Sequence, residues 1–223
     1  MPRMNKNSNE GGQRLFLWLT ALALVVIAGA VIYSVTREGS GGVAAALRDD
    51  DHVRGNTTAE TVLVEYSDFQ CPACAAFYST VKALETEFGT STAIVYRHFP
   101  LSQHKNATLA AAAAEAAGLQ GKFWEMHDLI FEHQKDWSEL SSGAANDYFV
   151  KLAEQLNIET SRFSDDMRDP AITERISRDE REGVVAGVNA TPTFYLNGKK
   201  LMLNNFADLA KEVRAATYAT STR

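Results

Sequence analysis

The chain has 223 residues, 45% hydrophobic and 22% charged, which is ordinary for a globular protein and enough for one good-sized domain plus an appendage. A formal net charge of −6 removes the basic surface that nucleic-acid binding needs, and five prolines argue against long disordered segments.

The first feature is Leu15 to Val35, 21 residues without a charge. At about 1.5 Å per helical residue such a run spans about 30 Å, the thickness of a hydrocarbon core, so a transmembrane anchor is expected over 15–35. Arg3, Lys6 and Arg14 precede it, while Arg37 and Glu38 nearly cancel behind it. The charge bias puts residues 1–14 in the cytoplasm and the rest of the chain outside. A cleaved signal peptide is the alternative, with Ala28-Gly29-Ala30 as the cleavage site, but Val31, Ile32, Tyr33 and Val35 carry the apolar run past it. Both readings export the domain.

Residues 36–59 read as a flexible linker, with Gly39-Ser40-Gly41-Gly42, a short helical stretch over 43–48 and a solvated charge run, Asp49-Asp50-Asp51. A folded domain is expected over 60–219. Glu60 to Tyr66 has the Val and Leu content of a buried strand. Pro72 to Phe88 has helical spacing through Phe77, Val81, Leu84 and Phe88, with Gly89 as the stop. Thr92 to Phe99 is a second strand, so the three make a parallel βαβ unit.

Helices follow over 106–117, 122–133, 145–156 and 171–185, with Asp169-Pro170 as a break. Trp124, Phe123 and Phe131 read most simply as core. The pattern then returns to strands at Thr193–Leu196 and Lys200–Leu203, joined through Asn197-Gly198, a strong hairpin signal. Phe206 to Tyr218 closes the chain as an amphipathic helix. The fold class is α/β: a thioredoxin-like order, βαβ…αββα, with a helical insertion at about 103–185.

The two cysteines, Cys71 and Cys74, are three positions apart where strand becomes helix. Pro72 suits the first helical position, because the N–H it lacks would have no partner there. The Cys71 sulfur can then face the free N–H groups and the positive end of the helix dipole, which stabilises a thiolate. Cys74 lies about one turn in and is placed to resolve a mixed disulfide. A structural disulfide closing so small a loop would constrain the unfolded chain little. A metal site needs about four ligands, and only His98 and His104 could add to the pair.

Glu65 falls in the strand beneath the pair and could exchange a proton with Cys74 if burial raises its pKa. Asp68 reads as a turn residue at the helix entry. Thr191-Pro192 precedes the hairpin, where a cis proline would let the Thr191 backbone pair with an extended substrate segment. His98, at a strand end, reads first as a packing or hydrogen-bonding residue.

These residues sit in segments that resemble the DsbA-like branch of the thioredoxin superfamily, especially its Gram-positive-type and membrane-tethered members. The segments are VLVEYSDFQCPACAAF at 62–77, VYRHFPL at 95–101, AGLQGKFWEMHDLIFE at 117–132 and GVNATPTFYLNGKKL at 187–201. The resemblance covers about 160 residues, 60–219, and leaves out the anchor and linker. It implies thiol–disulfide exchange outside the cytoplasm, with Cys71 as nucleophile, Cys74 as its partner, Glu65 as the buried acid and Pro192 as the cis-proline after Thr191. It implies no cofactor beyond a redox-active Cys71–Cys74 disulfide, exported thiol-containing proteins as substrates, and a membrane redox partner, quinone-linked for an oxidase. One position departs: the best-known strong oxidase of the family has histidine where this chain has Ala73. Oxidase is the first expectation; a reductase or isomerase, or a non-enzymatic peptide- or metal-binding module, stays open.

Overall fold

A computed structural model describes residues 17–19, 22–29 and 47–221. The chain divides into two units, Met1–Ser40 and Gly41–Arg223. In the first, residues 17–19 and 22–29 are helical and exposed. No helix among the described residues is long and apolar enough to cross a membrane. The rest of the expected span 15–35, residues 1–14 and the Gly39–Gly42 stretch lie outside the described residues.

The second unit carries a five-stranded mixed sheet in the order β1-β3-β2-β4-β5. The strands are β1 His52–Gly55, β2 Thr61–Ser67, β3 Thr92–His98, β4 Thr193–Leu196 and β5 Lys199–Lys200. β2 and β3 are parallel and the other neighbours antiparallel. The helices are α1 Pro72–Phe88, α2 Ala107–Gly118, α3 Phe123–Glu132, α4 Gln134–Trp137, α5 Ser142–Gln155, α6 Thr160–Asp166, α7 Pro170–Ala186 and α8 Phe206–Ser221.

Alternation along the strands sorts the core into two faces. Leu63, Ile94 and Phe194 pack with Val81 and Leu84 of α1 and Leu209 and Val213 of α8. Val64, Tyr66, Val95 and Tyr195 face the other way, with Phe99, Ala186 and Val188. α7 buries Ile172, Ile176, Asp179 and Gly183 at helical spacing. Asp169 caps its start by accepting from the Ala171 N–H at 2.8 Å, and Gly187, with φ +89°, ends it in the left-handed region. A Cβ at Gly183 would lie 2.7 Å from the Phe99 ring, so glycine is what lets α7 approach the sheet.

The helical insertion has its own core. The alanine run of α2 is its hub: Ala110, Ala113, Ala114, Ala116 and Ala117 are fully buried, and short side chains let neighbouring helices come close. Met126, Ile130, Trp137, Phe149 and Phe163 surround it, with Phe123 and Phe131, while Trp124 is half-buried beneath Arg54. Cys71 and Cys74 join this same cluster, at the seam between insertion and sheet.

Three expectations need correction. Residues 52–55, read as linker, form β1, pairing Val53 with Val95 of β3. Asp51 is not solvated: it accepts from the buried Arg97 guanidinium at 2.8 Å and from Arg48 at 2.7 Å. Arg48 also reaches Asp179 and Glu182, so the 47–51 segment is strapped onto α7. A four-residue strand containing His, Arg and Gly carries no apolar period, and charge alone does not say whether a partner waits elsewhere. The second hairpin strand stops at Lys200, with one further bond from the Leu201 N–H to the Phe194 carbonyl at 2.9 Å, and Met202 is 86% exposed. The Asn197-Gly198 turn itself forms, both residues having positive φ.

Candidate active site

The turn that delivers Cys71 is built by short polar bonds. The Asp68 carboxylate accepts from the Gln70 N–H at 2.7 Å, from the Leu101 N–H at 2.8 Å and from His104 Nδ1 at 2.7 Å. The Cys71 N–H donates to the Asp68 carbonyl at 3.0 Å. From the insertion, Gln134 Nε2 donates to the carbonyls of Phe69 at 2.8 Å and Cys71 at 2.9 Å. Gln70 answers by donating to Ser138 O and accepting from the Asn106 N–H. Asp68 thus stands in the turn as expected. Gln70, Asn106 and Gln134 carried no signal, since an amide that bonds to backbone has no characteristic spacing.

Cys71 occupies the cap position of α1 with extended backbone, and Pro72 follows as the first helical residue. Pro72 and Ala73 are exposed, Cys71 is 6% exposed and Cys74 fully buried. As a thiol, Cys71 Sγ donates to the Thr191 carbonyl oxygen at 3.4 Å, and Thr191–Pro192 is cis. The sheet therefore brings Cys71, Cys74, Thr191 and Pro192 together. A groove of about 440 Å³ runs beside α1, lined by Pro72, Ala76, Phe131 and Gln134 among others.

The two thiols are driven apart electrostatically. The hydrogen bond from Cys74 is the main influence pulling Cys71 down to about 5; burial opposes it, and Thr191 and the Ala73 and Cys74 N–H groups assist. Cys74 moves well up, first through burial, then through its bond to Cys71 and the negative charges of Cys71 and Glu65. Glu65 is raised to about 7 by burial, with the Ser67 hydroxyl opposing. It lies on the rung between Tyr96 of β3 and Phe194 of β4, on the sheet face beneath α1. Tyr96 is likewise raised by burial and by the charge of Glu65.

The two histidines weighed as further ligands beside the cysteine pair are turned to carboxylates, His104 to Asp68 and His98 to Glu115 at 2.8 Å. Among the described residues no cluster of three or more His, Cys, Asp or Glu is arranged to hold a metal ion. The arrangement offers one sulfur suited to be a thiolate, one suited to stay protonated, and a carboxyl that titrates near neutrality. That is what thiol–disulfide exchange uses.

The family profile described as Thioredoxin matches residues 48–215. The chain is similar to a structure described as a thioredoxin-like oxidoreductase from Silicibacter pomeroyi. The two share 25% identity over 76% of this chain and 93% of that one, with a TM-score of 0.64. It shares the fold of the thiol-disulfide exchange protein alpha-DsbA2 from Wolbachia pipientis, at 18% identity, 85% and 98% coverage and a TM-score of 0.68. Over 153 residues, 68% of this chain, it is 39% identical to the Na(+)/H(+) antiporter NhaA 3 of Salinispora tropica. The chain spans only 22% of that relative's length.

Proposed function

The chain belongs to the DsbA-like branch of the thioredoxin superfamily, and from that premise we propose that it is an extracytoplasmic thiol–disulfide oxidoreductase, working as an oxidase of exported proteins. The observation that carries this reading is the asymmetry of the pair: Cys71 is drawn down to about 5 while the fully buried Cys74 is pushed up. A low thiolate pKa stabilises the reduced form, which makes the corresponding disulfide a better oxidant.

In the forward direction a substrate thiolate attacks the Cys71 sulfur of the Cys71–Cys74 disulfide. The S–S bond breaks, and Cys74 leaves with the electron pair and takes a proton from Glu65, which is about half protonated near pH 7. A second substrate thiolate attacks the substrate sulfur of the mixed disulfide and releases Cys71 as thiolate. Two electrons pass from substrate to protein, and Cys74 keeps one proton. Thr191, whose carbonyl lies beside Cys71, offers backbone pairing to an extended substrate segment, with Pro192 shaping the loop.

The site residues are therefore Cys71, Cys74, Glu65, Thr191 and Pro192, with Pro72 and Ala73 completing the helix start. The redox-active disulfide is the only cofactor required. A membrane redox partner recharges the pair, and residues 15–35 anchor the domain with residues 1–14 in the cytoplasm. The antiporter name belongs to a protein of which this chain matches 22%, and no transport activity is carried over from it.

The test uses the oxidised protein and a reduced, unfolded model substrate. Stoichiometric disulfide formation, lost in Cys71→Ser, supports the reading, as does an adduct trapped when Cys74→Ser, loaded beforehand at Cys71 as a mixed disulfide with glutathione, exchanges glutathione for the substrate. A pair that stays reduced in an oxidising export compartment would move the assignment to a reductase. Absence of any adduct would end the enzyme reading.

A further inference from the structure

Six buried side-chain polar atoms among the described residues lack a hydrogen-bond partner, and four of them gather near the dithiol: Ser67 Oγ, Tyr96 OH, His98 Nδ1 and Thr191 Oγ1. Buried polar atoms are nearly always satisfied, so a cluster of orphans marks a place that trades protons or holds water. Three of these residues belong to a square on the sheet face beneath α1. Glu65 is level with Tyr96 and Ser67 with His98, as parallel partners on strands about 4.8 Å apart. Ser67 is two residues on from Glu65 along β2, so it shares its face of the sheet, and it opposes the rise of both Glu65 and Cys74.

His98 has a settled tautomer. Its Nε2 lies 2.8 Å from Glu115 Oε1, which also receives His52 Nε2 at 2.8 Å and Arg175 Nε at 2.7 Å. Burial would raise Glu115, yet the bonds from His52 and His98 hold it well below the usual carboxylate range. An ionised carboxylate only accepts, so His98 Nε2 carries the hydrogen, and the tautomer that results leaves Nδ1 as the ring's acceptor. That acceptor is the orphan on the Ser67 rung.

We propose that His98 is a second relay for the Cys74 proton, reached through the Ser67 hydroxyl and anchored by Glu115. Ser67 Oγ is hydrogen-bonded to neither neighbour in the resting structure, so the transfer runs on rotation of the hydroxyl or through a water held among these atoms: the Cys74 proton passes to Ser67 Oγ while Ser67 passes its own to His98 Nδ1. The products are a Cys74 thiolate and a His98 imidazolium paired with the Glu115 carboxylate; no electrons move. His52, whose side chain is 19% exposed, connects the group to a solvent-facing cavity of about 500 Å³ between α2 and α7. The charged or titratable groups facing His98 are Glu115 from α2, His52 from β1, Arg175 and Asp179 from α7, His127 from α3 and Tyr96 beside it.

This inference rests on the oxidoreductase reading, and its test separates the two. The protein is loaded as a mixed disulfide between Cys71 and glutathione, and release of glutathione by Cys74 is followed against pH in H₂O and D₂O. His98→Gln keeps an N–H for Glu115 but offers no base. Expected are a fall of about tenfold in release rate between pH 6 and 8, an enlarged solvent isotope effect, and an unchanged Cys71 thiolate titration. Ser67→Ala, which carries the test alone if His98→Gln does not fold, is expected to match it, with no further loss in the double variant. Adding Glu65→Gln to His98→Gln removes both bases and should slow release by more than the product of the single effects. Release by His98→Gln within twofold of wild type, or full multiplication of the Ser67 and His98 effects, overturns the relay. If the unaltered protein releases no glutathione, the oxidoreductase reading fails instead.

Discussion

The sulfur of Cys71 stands 3.4 Å from the backbone oxygen of Thr191, although 120 residues separate them. The antiparallel pairing of β2 with β4, Tyr66 opposite Thr193, is what closes that distance. It places the turn that enters α1 beside the loop that leaves α7. The start of α1 and the 191–192 loop are thereby held to one another by the centre of the sheet as well as by their own contact.

Cys74 is the main influence on the Cys71 thiolate, so truncating it should be visible in Cys71 itself. In Cys74→Ala the absorbance of the thiolate near 240 nm should titrate at least one pH unit above the midpoint of the unaltered protein, which is expected near 5. An unmoved midpoint would assign the stabilisation to the helix start alone.

Glu65 gives a pH signature in stability. Its folded-state value is raised from 4.5 to about 7, so its share of stability is fully present below 4.5 and is lost as pH rises through 7. A displacement of that size is worth on the order of 3 kcal/mol. Glu65→Gln should therefore resist urea better than the unaltered protein at pH 8 by about that amount and match it near pH 4. A difference independent of pH would show that the carboxyl is not held neutral.

Gln134→Leu strips donors from the Phe69 and Cys71 carbonyls while keeping the volume roughly constant. Leaving buried acceptors unpaired costs about 2 kcal/mol, read from urea unfolding. The looser turn should also raise the Cys71 midpoint, because its N–H groups are no longer held in line. Loss of stability without that rise would make Gln134 a purely structural clamp.

Gly183→Ala tests how closely α7 lies on the sheet. The new methyl would meet Phe99 Cδ2 at 2.7 Å and Tyr66 Cδ1 at 3.0 Å, both on buried rings. Overpacking of this kind costs about 1–3 kcal/mol. A gain in stability, as expected for alanine in an open helix, would mean that α7 can lift away without penalty.

The parts that could be read from the sequence are those whose cause is local. Cys71-Pro72-Ala73-Cys74 announces itself through spacing, and the bounds of α1 follow from Pro72 and the Val81–Leu84–Phe88 period. The Thr193–Leu196 strand and its Asn197-Gly198 turn follow from turn chemistry. What escaped depends on distant pairing. β1 exists because Val95 needs a neighbour, and Asp51 is buried because Arg97 lies 46 residues on. α4 and α6, of four and seven residues, are too short for a period to emerge. Glu115 sits inside an alanine run and looks like a solvated residue until His52, His98 and Arg175 converge on it from three other elements.

The outer position of β1 has a practical corollary for anyone who trims this protein. A fragment begun at residue 60, where the strong strand pattern starts, would lose the partner of Tyr96, Val95, Ile94 and Ala93. It would also discard the carboxylate that neutralises Arg97 in the interior. The bared backbone of β3 would be an open template for another chain, with a run of apolar residues to hold it there. Such a fragment should self-associate through that strand, whereas one begun before Leu47 should remain dispersed.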